Sequence, residues 1–520
     1  MTGDESANSY HRAIEFLYDL RWFGTKLGLE NTFKLAEMAG NPQDKLRFIH
    51  AAGTNGKGST CAMLESIYRA AGLRTGLFTS PHLVAFSERI QVNRQFISEA
   101  DVVRLVESMQ PLLGTFPAKH HPTFFEVVTV MALQYFAERG CDVVIWETGL
   151  GGRLDSTNIV TPLASVITNI QFDHQRWLGE TLDRIAAEKA GIIKPGVPTI
   201  TGTDEPEALA VIQETALRQH SPLALVTPTH TQHPPLDTLR LPLLGWHQRM
   251  NAAVALATVR ALQAQLPVSD AAIRQGLLTV QWPGRLQLVE RQAQSGTGCQ
   301  PVGSGSEFGV HPLGCGGRPD TLKRGHQTTR RLLEGLPGTA PADAGEVQGD
   351  SPATSLRPVT SEAGRMPASV ATQRILLDGA HNSGGATALR AALEEHFPNA
   401  KPALILGIMQ DKDWDLMCEI LAPLAGRIFC TPVSSERSAA PDQLRAACLR
   451  TNPEAGATTC ASLAEAIRLA AGDPFVVIAG SLYLIGEAME LLHVTAAPQK
   501  DERSLNEWTQ QPVQRQVLKS

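Results

Sequence analysis

The sequence predicts a two-domain α/β protein with mostly parallel sheets, divided by a glycine- and proline-rich insertion. Three observations carry that expectation. Continuous apolar, β-branched runs of four to seven residues alternate with helical patterns, as strands covered on both faces do. The runs form two groups, before about residue 290 and after about residue 373. Between them, the window 291–373 holds 14 of the 44 glycines and 8 of the 33 prolines, with Phe308 its sole aromatic. Such a composition builds no core of its own. A length of 520 residues also exceeds what one hydrophobic core ordinarily serves.

Taken in order, the first group of strands is expected at 46–52, 141–147 and 164–170, and the second at 374–377, 402–408, 427–433 and 475–479. A helix from 59 to about 71 follows the first run. It places Met63, Ile67 and Ala70 on one side and stops at Gly72, a residue suited to a helix end. Trp282-Pro283-Gly284-Arg285 closes the first domain. The expected divisions are a first domain over 1–290, the insertion over 291–373, a second domain over 374–495, and a weakly ordered polar tail over 496–520.

Composition narrows the function classes. Hydrophobic residues make up 43% and charged residues 19% of the chain, as in globular proteins. A net charge of -6 leaves no basic footprint for nucleic acid. No apolar run approaches the roughly 18 residues of a membrane span. The polar start, MTGDESANSY, is unlike a secretory or transit signal. Eight cysteines without C-x-x-C spacing form neither a zinc site nor a disulfide framework. Cys61, Cys141, Cys418, Cys430, Cys448 and Cys460 read as reduced core residues. A cytoplasmic monomer acting on small molecules is the expectation.

The strongest chemical signal is Gly53-Thr54-Asn55-Gly56-Lys57-Gly58-Ser59-Thr60, between an apolar strand and a helix. Glycines let backbone N–H groups converge on phosphate oxygens, the helix start favours an anion, and Lys57 adds a positive charge. Ser59 offers a hydroxyl oxygen to Mg²⁺. Glu147 and His174 stand at the ends of two other strands, where ligands of parallel sheets bind. Each alone reads more often as a structural polar group; together on the same sheet edge as a phosphate loop they read as ligands. Lys189 ends a helix and by itself reads as a cation offsetting the helix dipole. Asp378-Gly379-Ala380-His381-Asn382 follows a second-domain strand and gathers acid, imidazole and amide in one loop.

Together, HAAGTNGKGST, GLFTSPHLVAFSERIQVN, DVVIWETGLGGRLDSTNIV, FDHQRWLGETLDRIAAEKAGIIK, WPGR, LLDGAHN and LGIMQDKD resemble the folylpolyglutamate synthase/dihydrofolate synthase family of the Mur ligase superfamily. The resemblance implies an N-terminal P-loop ATPase domain of the Mur ligase type and a smaller C-terminal Rossmann-like domain, with the active site between them. It implies ATP-dependent joining of glutamate to dihydropteroate or reduced folates through an acyl phosphate. By the same match, Gly53 to Thr60 cradle ATP, with Asn251 at adenine, Arg285 at phosphate and Asp378 at the ribose or nucleotide. Ser59, Ser80, Glu147, His174 and a carbamylated Lys189 hold magnesium. Lys57, Lys189 and His381 act at the reacting centre, His381 near the γ-phosphate or the incoming glutamate. Leu27, Gly28, Leu29, Phe124, Phe125 and Glu126 fall where the pterin sits, assisted by Arg153, Leu154 and Asp155. Two departures stand out: Asn31 replaces a basic residue common after LGLE, and the insertion lengthens a normally short passage. The competing readings are another Mur-type amino acid ligase and an ATP-binding regulatory protein.

Overall fold

Two sheets organise the chain in the computed structural model, which describes residues 3–24, 28–292, 372–495 and 501–507. The first sheet contains β1 (Phe48–Ala52), β2 (Thr75–Phe78), β3 (Ile90–Val92), β4 (Gln95–Phe96), β5 (Val143–Glu147), β6 (Ala164–Ile167), β7 (Thr199–Thr201) and β8 (Leu223–Leu225). Their order is β4-β3-β2-β5-β1-β6-β7-β8. All pair in parallel except β3 and β4, which return antiparallel. β1 lies between β5 and β6 with all five residues buried, which is why its sequence is continuously apolar rather than alternating. His50 is the exception inside that strand. Its Nε2 meets Thr157 Oγ1 at 3.0 Å, and burial pushes its pKa down to about 3, keeping the ring neutral.

The helix expected from 59 spans Lys57–Ala70 and is buried on nearly every side, from Ser59 to Tyr68. It is wedged between the sheet and two further helices, Trp246–Ala261 and Asp270–Thr279. The second contact is close because Gly276 has no side chain. A Cβ there would stand 2.5 Å from Ile67 Cα, and Ser66 Oγ donates to Gly276 O at 2.8 Å.

The second sheet contains β9 (Gln287–Gln292), β10 (Thr372–Asp378), β11 (Ala403–Leu406), β12 (Arg427–Cys430), β13 (Gly456–Thr459) and β14 (Phe475–Ala479). Its order is β13-β12-β11-β14-β10-β9, parallel except for β9. The boundary expected after residue 290 therefore falls inside a strand of the second sheet. The insertion window also starts and ends in strands: Arg291 pairs with Gln373 and Gln292 with Thr372. Its remainder, 293–371, lies outside the described residues.

Short or exposed strands escaped the sequence reading. β4 has two residues, both exposed, and β13 is mostly exposed, so neither carries a buried apolar run. The polar tail differs from its expectation over 501–507, where Glu502, Leu505 and Asn506 are buried against the first lobe and Arg503 against the second. The six named cysteines are free and buried. No helix among the described residues is long and apolar enough to cross a membrane.

Gly276→Ala should lower stability by about 1–3 kcal/mol, the usual range for overpacking. Urea unfolding of the variant and parent checks this; equal midpoints would contradict the close approach.

Candidate active site

The phosphate loop leaves β1 and is bolted to the segment that follows β6. Thr54 N donates to Asn169 O at 2.9 Å and Asn55 N to Asn169 Oδ1 at 2.8 Å. Thr168 Oγ1 donates to Asn55 O at 2.6 Å, and Thr54 Oγ1 exchanges bonds of 3.0 and 3.1 Å with the backbone of Gln171. The turn into the helix needs Gly56, whose φ is 82°. A Cβ there would also lie 2.3 Å from Asn251 Oδ1, so the proposed adenine contact abuts the loop. Gly58 packs against Trp282 in the same way.

No side chain caps the start of this helix, leaving its first amides and positive dipole end for an anion. Thr60 Oγ1 is buried without a hydrogen-bond partner among the described residues. Lys57 Nζ curls over the loop to Gly53 O and Thr54 O at 3.1 and 3.2 Å. Lys189 Nζ reaches Gly53 O at 2.8 Å. These features suit a polyphosphate.

The residues expected at the metal fall into two groups. Glu147 accepts from Ser80 N at 3.1 Å. Burial pushes its carboxyl up to about 7, against the pull of Lys57, the Ser80 amide and Arg285. A buried carboxylate bonded to the Ser80 amide fits a hard cation that prefers oxygen, and Ser59 is likewise buried at the start of the loop helix. His174 belongs to a different cluster, with Asp173 and His381. It adopts a left-handed φ of 51°, and burial holds it down to about 3. Among the described residues no three His, Cys, Asp or Glu side chains converge on a metal position.

Asp173 is the centre of that second cluster and joins the lobes. Lys412 Nζ donates to its Oδ1 at 2.5 Å, Asn382 Nδ2 to its Oδ2 at 3.0 Å, and His381 Nε2 stands 3.7 Å away. Burial would raise this carboxyl, but Lys412, His174 and His381 outweigh it and hold it well below the ordinary range. Asn55 meets Asn382 through two amide bonds of 3.1 Å, so the phosphate loop itself touches the second lobe. His381 Nδ1 donates to Gly379 O at 2.8 Å. Burial and then Lys412 push its pKa down to about 4, leaving a neutral ring with its lone pair on Nε2.

Arg285 and Asp378 form the other joint. Both Asp378 oxygens accept backbone amides at 2.9 Å, from Leu286 and Ala380. Burial raises its pKa against the attraction of Arg285. Arg285 donates to Gly284 O at 3.1 Å, where Gly379 N also donates at 2.9 Å.

A cavity of about 220 Å³ opens between the lobes. Of the residues expected at the pterin, Gly28, Phe124, Phe125, Glu126, Leu154 and Asp155 line it. Leu29 and Arg153 do not. Leu29 packs on the first core, and Arg153 turns outward to Glu188 at 2.7 Å. Leu27 lies outside the described residues. Two of the acids serve the backbone. Glu126 Oε2 accepts from Thr123 N at 2.7 Å, and Asp155 Oδ2 from Leu150 N at 2.7 Å. Sequence reasoning passed over Asp173, Arg89, Lys412, Arg437 and the tail residues at the cavity wall. Asp173 and Lys412 stood in the quoted FDHQ and LGIMQDKD stretches, where a second acid and a base after strand ends were the available signal.

A phosphate loop at the carboxyl edge of a parallel sheet, facing a second α/β lobe across a cation-lined cavity, is the arrangement of a Mur-type ATP-dependent ligase. Residues 51–224 match the Mur ligase middle domain and residues 364–482 the Mur ligase glutamate ligase domain. The dihydrofolate synthase/folylpolyglutamate synthase of Bacillus subtilis is 41% identical over 304 residues, covering 54% of this chain and 71% of that protein. A probable bifunctional folylpolyglutamate synthase/dihydropteroate synthase of Haloferax volcanii is 30% identical and covers 96% of this chain, which spans about half (52%) of that longer relative. The Mycobacterium tuberculosis folylpolyglutamate synthase, solved with ADP and AMPPCP, superposes with a TM-score of 0.70 at 26% identity, covering 94% of this chain and 98% of that one. The chain belongs to the folylpolyglutamate synthase/dihydrofolate synthase family.

Replacing Asp173 with Asn strands the Lys412 charge in the cleft and should cost about 3–5 kcal/mol. The double variant Asp173→Asn/Lys412→Met should recover part of that loss in urea unfolding; strictly additive effects would show that the pair does not interact.

Proposed function

We propose that this chain is an ATP-dependent amide ligase that joins L-glutamate to dihydropteroate, to reduced folates, or to both. The observation that carries the reading is the uncapped phosphate loop held within hydrogen-bond reach of a second lobe, over an aromatic-lined cavity. ATP and a divalent cation are the implied co-reactants. Magnesium supplies charge neutralisation for the phosphates and polarises the γ-phosphoryl group. Glu147, Ser59 and Ser80 are the oxygen donors proposed to hold one cation, and His174 with a carbamylated Lys189 is proposed at a second.

The chemistry joins two anions, so positive charge must gather where they meet. The proposed division of labour puts Gly53 to Thr60 at the phosphates, with Lys57 countering the charge that builds as the substrate carboxylate attacks the γ-phosphoryl. ADP leaves and an acyl phosphate forms. The free amine of glutamate then attacks the acyl carbon, and inorganic phosphate leaves from the tetrahedral intermediate. In its neutral form His381 offers the Nε2 lone pair to an amine N–H and so orients the nucleophile. Asn251, Arg285 and Asp378 are proposed at the nucleotide. Phe124, Phe125, Gly28 and Leu154 offer the flat apolar surface a pterin needs.

Lys189 supports the carbamate reading physically. Burial and the neighbouring Lys57 push its ammonium down to about 7, so a large share is the free amine that adds to CO₂ with loss of one proton. Bicarbonate should raise activity, and a mass shift of one CO₂ should vanish in Lys189→Ala; activity indifferent to bicarbonate would count against the modification. A cytoplasmic monomer with no nucleic-acid or membrane partner completes the proposal.

Phosphate release from ATP should depend on both glutamate and a pteroate or folate acceptor, and a panel of dihydropteroate and mono- to polyglutamylated folates should separate the two activities. Lys57→Ala should lower kcat by roughly 10²–10³, the usual effect of removing one transition-state donor. Release that needs neither acceptor nor glutamate sinks the proposal.

A further inference from the structure

Beyond residue 482, where the second matched domain ends, seven residues close the seam between the lobes. Residues 501–507 are anchored on both sides. Toward the second lobe, Arg503 pairs with Glu490 at 3.0 Å. Toward the first, Glu502 Oε2 accepts from Phe86 N at 2.6 Å, and the Glu502 carbonyl meets His82 Nε2 at 2.9 Å. Asn506 Nδ2 donates to His82 O at 2.9 Å, while its Oδ1 accepts from Arg89. Leu505, Asn506 and Glu507 then line the cavity.

Arg89 is the residue this strap acts upon. It lines the cavity and is 2% exposed. Its Nε donates to His82 Nδ1 at 2.8 Å, its NH1 to Ser80 Oγ at 3.0 Å, and its NH2 to Asn506. Each of these acceptors is neutral, and among the described residues Arg89 makes no ion pair. A buried guanidinium without a carboxylate is costly. Burial pushes its pKa down to about 10, against Tyr483, Glu88 and Glu147, which favour the charge. Three neutral acceptors fix its geometry without an ion pair, and Glu88 and Glu147 offset its charge only in part.

We propose that Asn506 is a positioning residue that holds Arg89 at the cavity wall, so that its unpaired charge attracts a carboxylate of the folate-class substrate. This rests on the ligase reading above. The amide is essential to the argument because it is neutral: an aspartate at 506 would still hold Arg89 but would cancel the charge presented to the substrate. A purely structural role makes the opposite prediction, since a carboxylate binds guanidinium at least as firmly.

The test is steady-state kinetics on the full chain and on its Asn506→Ala and Asn506→Asp variants, with dihydropteroate and ATP varied separately. Both variants should raise the KM for dihydropteroate about tenfold, as expected for one charge-assisted contact. The KM for ATP should stay within about twofold, while kcat with dihydropteroate should also fall, because its single carboxylate is the reacting one. Asn506→Asp gives up the Nδ2 bond to His82 O and so should melt a few degrees below the parent while staying folded at assay temperature; it decides the matter if Asn506→Ala does not fold. An Asn506→Asp enzyme that binds dihydropteroate as the parent does overturns the assignment. So does a parallel rise in both KM values. If the parent itself shows no acceptor-dependent phosphate release, the ligase reading falls and this assignment falls with it.

Discussion

The site depends above all on how the phosphate loop is fastened. Its backbone and hydroxyls are bonded to Thr168, Asn169 and Gln171 beyond β6, and its Asn55 is bonded across the cleft to Asn382. A loop rich in glycine has high conformational freedom, and these bonds remove it. The same three residues lead directly to Asp173, which holds Asn382 and Lys412. Nucleotide cradle and lobe contact are therefore one hydrogen-bonded network. Such networks gain from being fully satisfied in a low-dielectric site.

Charge within the cleft is divided between paired and unpaired cations. Lys412 is paired with Asp173 and spends its charge on holding the lobes together. Arg285 faces Asp378 at the linker. Lys57 and Lys189 rest on backbone carbonyls of the loop, and Arg89 rests on neutral acceptors. Lys57, Lys189 and Arg89 thus bond only to neutral groups, and they are the cations proposed at the phosphates and the substrate. Glu147 is the converse case: an acid whose carboxyl burial pushes up to about 7 against the pull of Lys57 and Arg285.

Much of the fold was legible because buried parallel strands must be apolar throughout. β1, β5 and β14 lie inside the expected runs 46–52, 141–147 and 475–479. The phosphate loop was legible because its glycines, lysine and hydroxyls occupy fixed places between strand and helix. Strand β9 was not, since QLVERQ alternates and its partner lies beyond residue 371. Leu29 and Arg153 sat within matching motifs, yet one packs in a core and the other faces Glu188. Neighbours in sequence point in different directions, and no motif states which side chain faces the cavity.

The sequence by itself determined the two α/β lobes, the phosphate loop and the family, because these rest on local periodicity and on residue types at fixed spacing. Only the tertiary structure decided that Asp173 binds Lys412, 239 residues away, and that Asn506 binds Arg89, 417 residues away. It also turned a polar tail into a cavity wall. The reason is physical: a charged or amide side chain has the same local signature on a solvated surface as in a cleft. Its role is set by which partner the fold brings within hydrogen-bond reach.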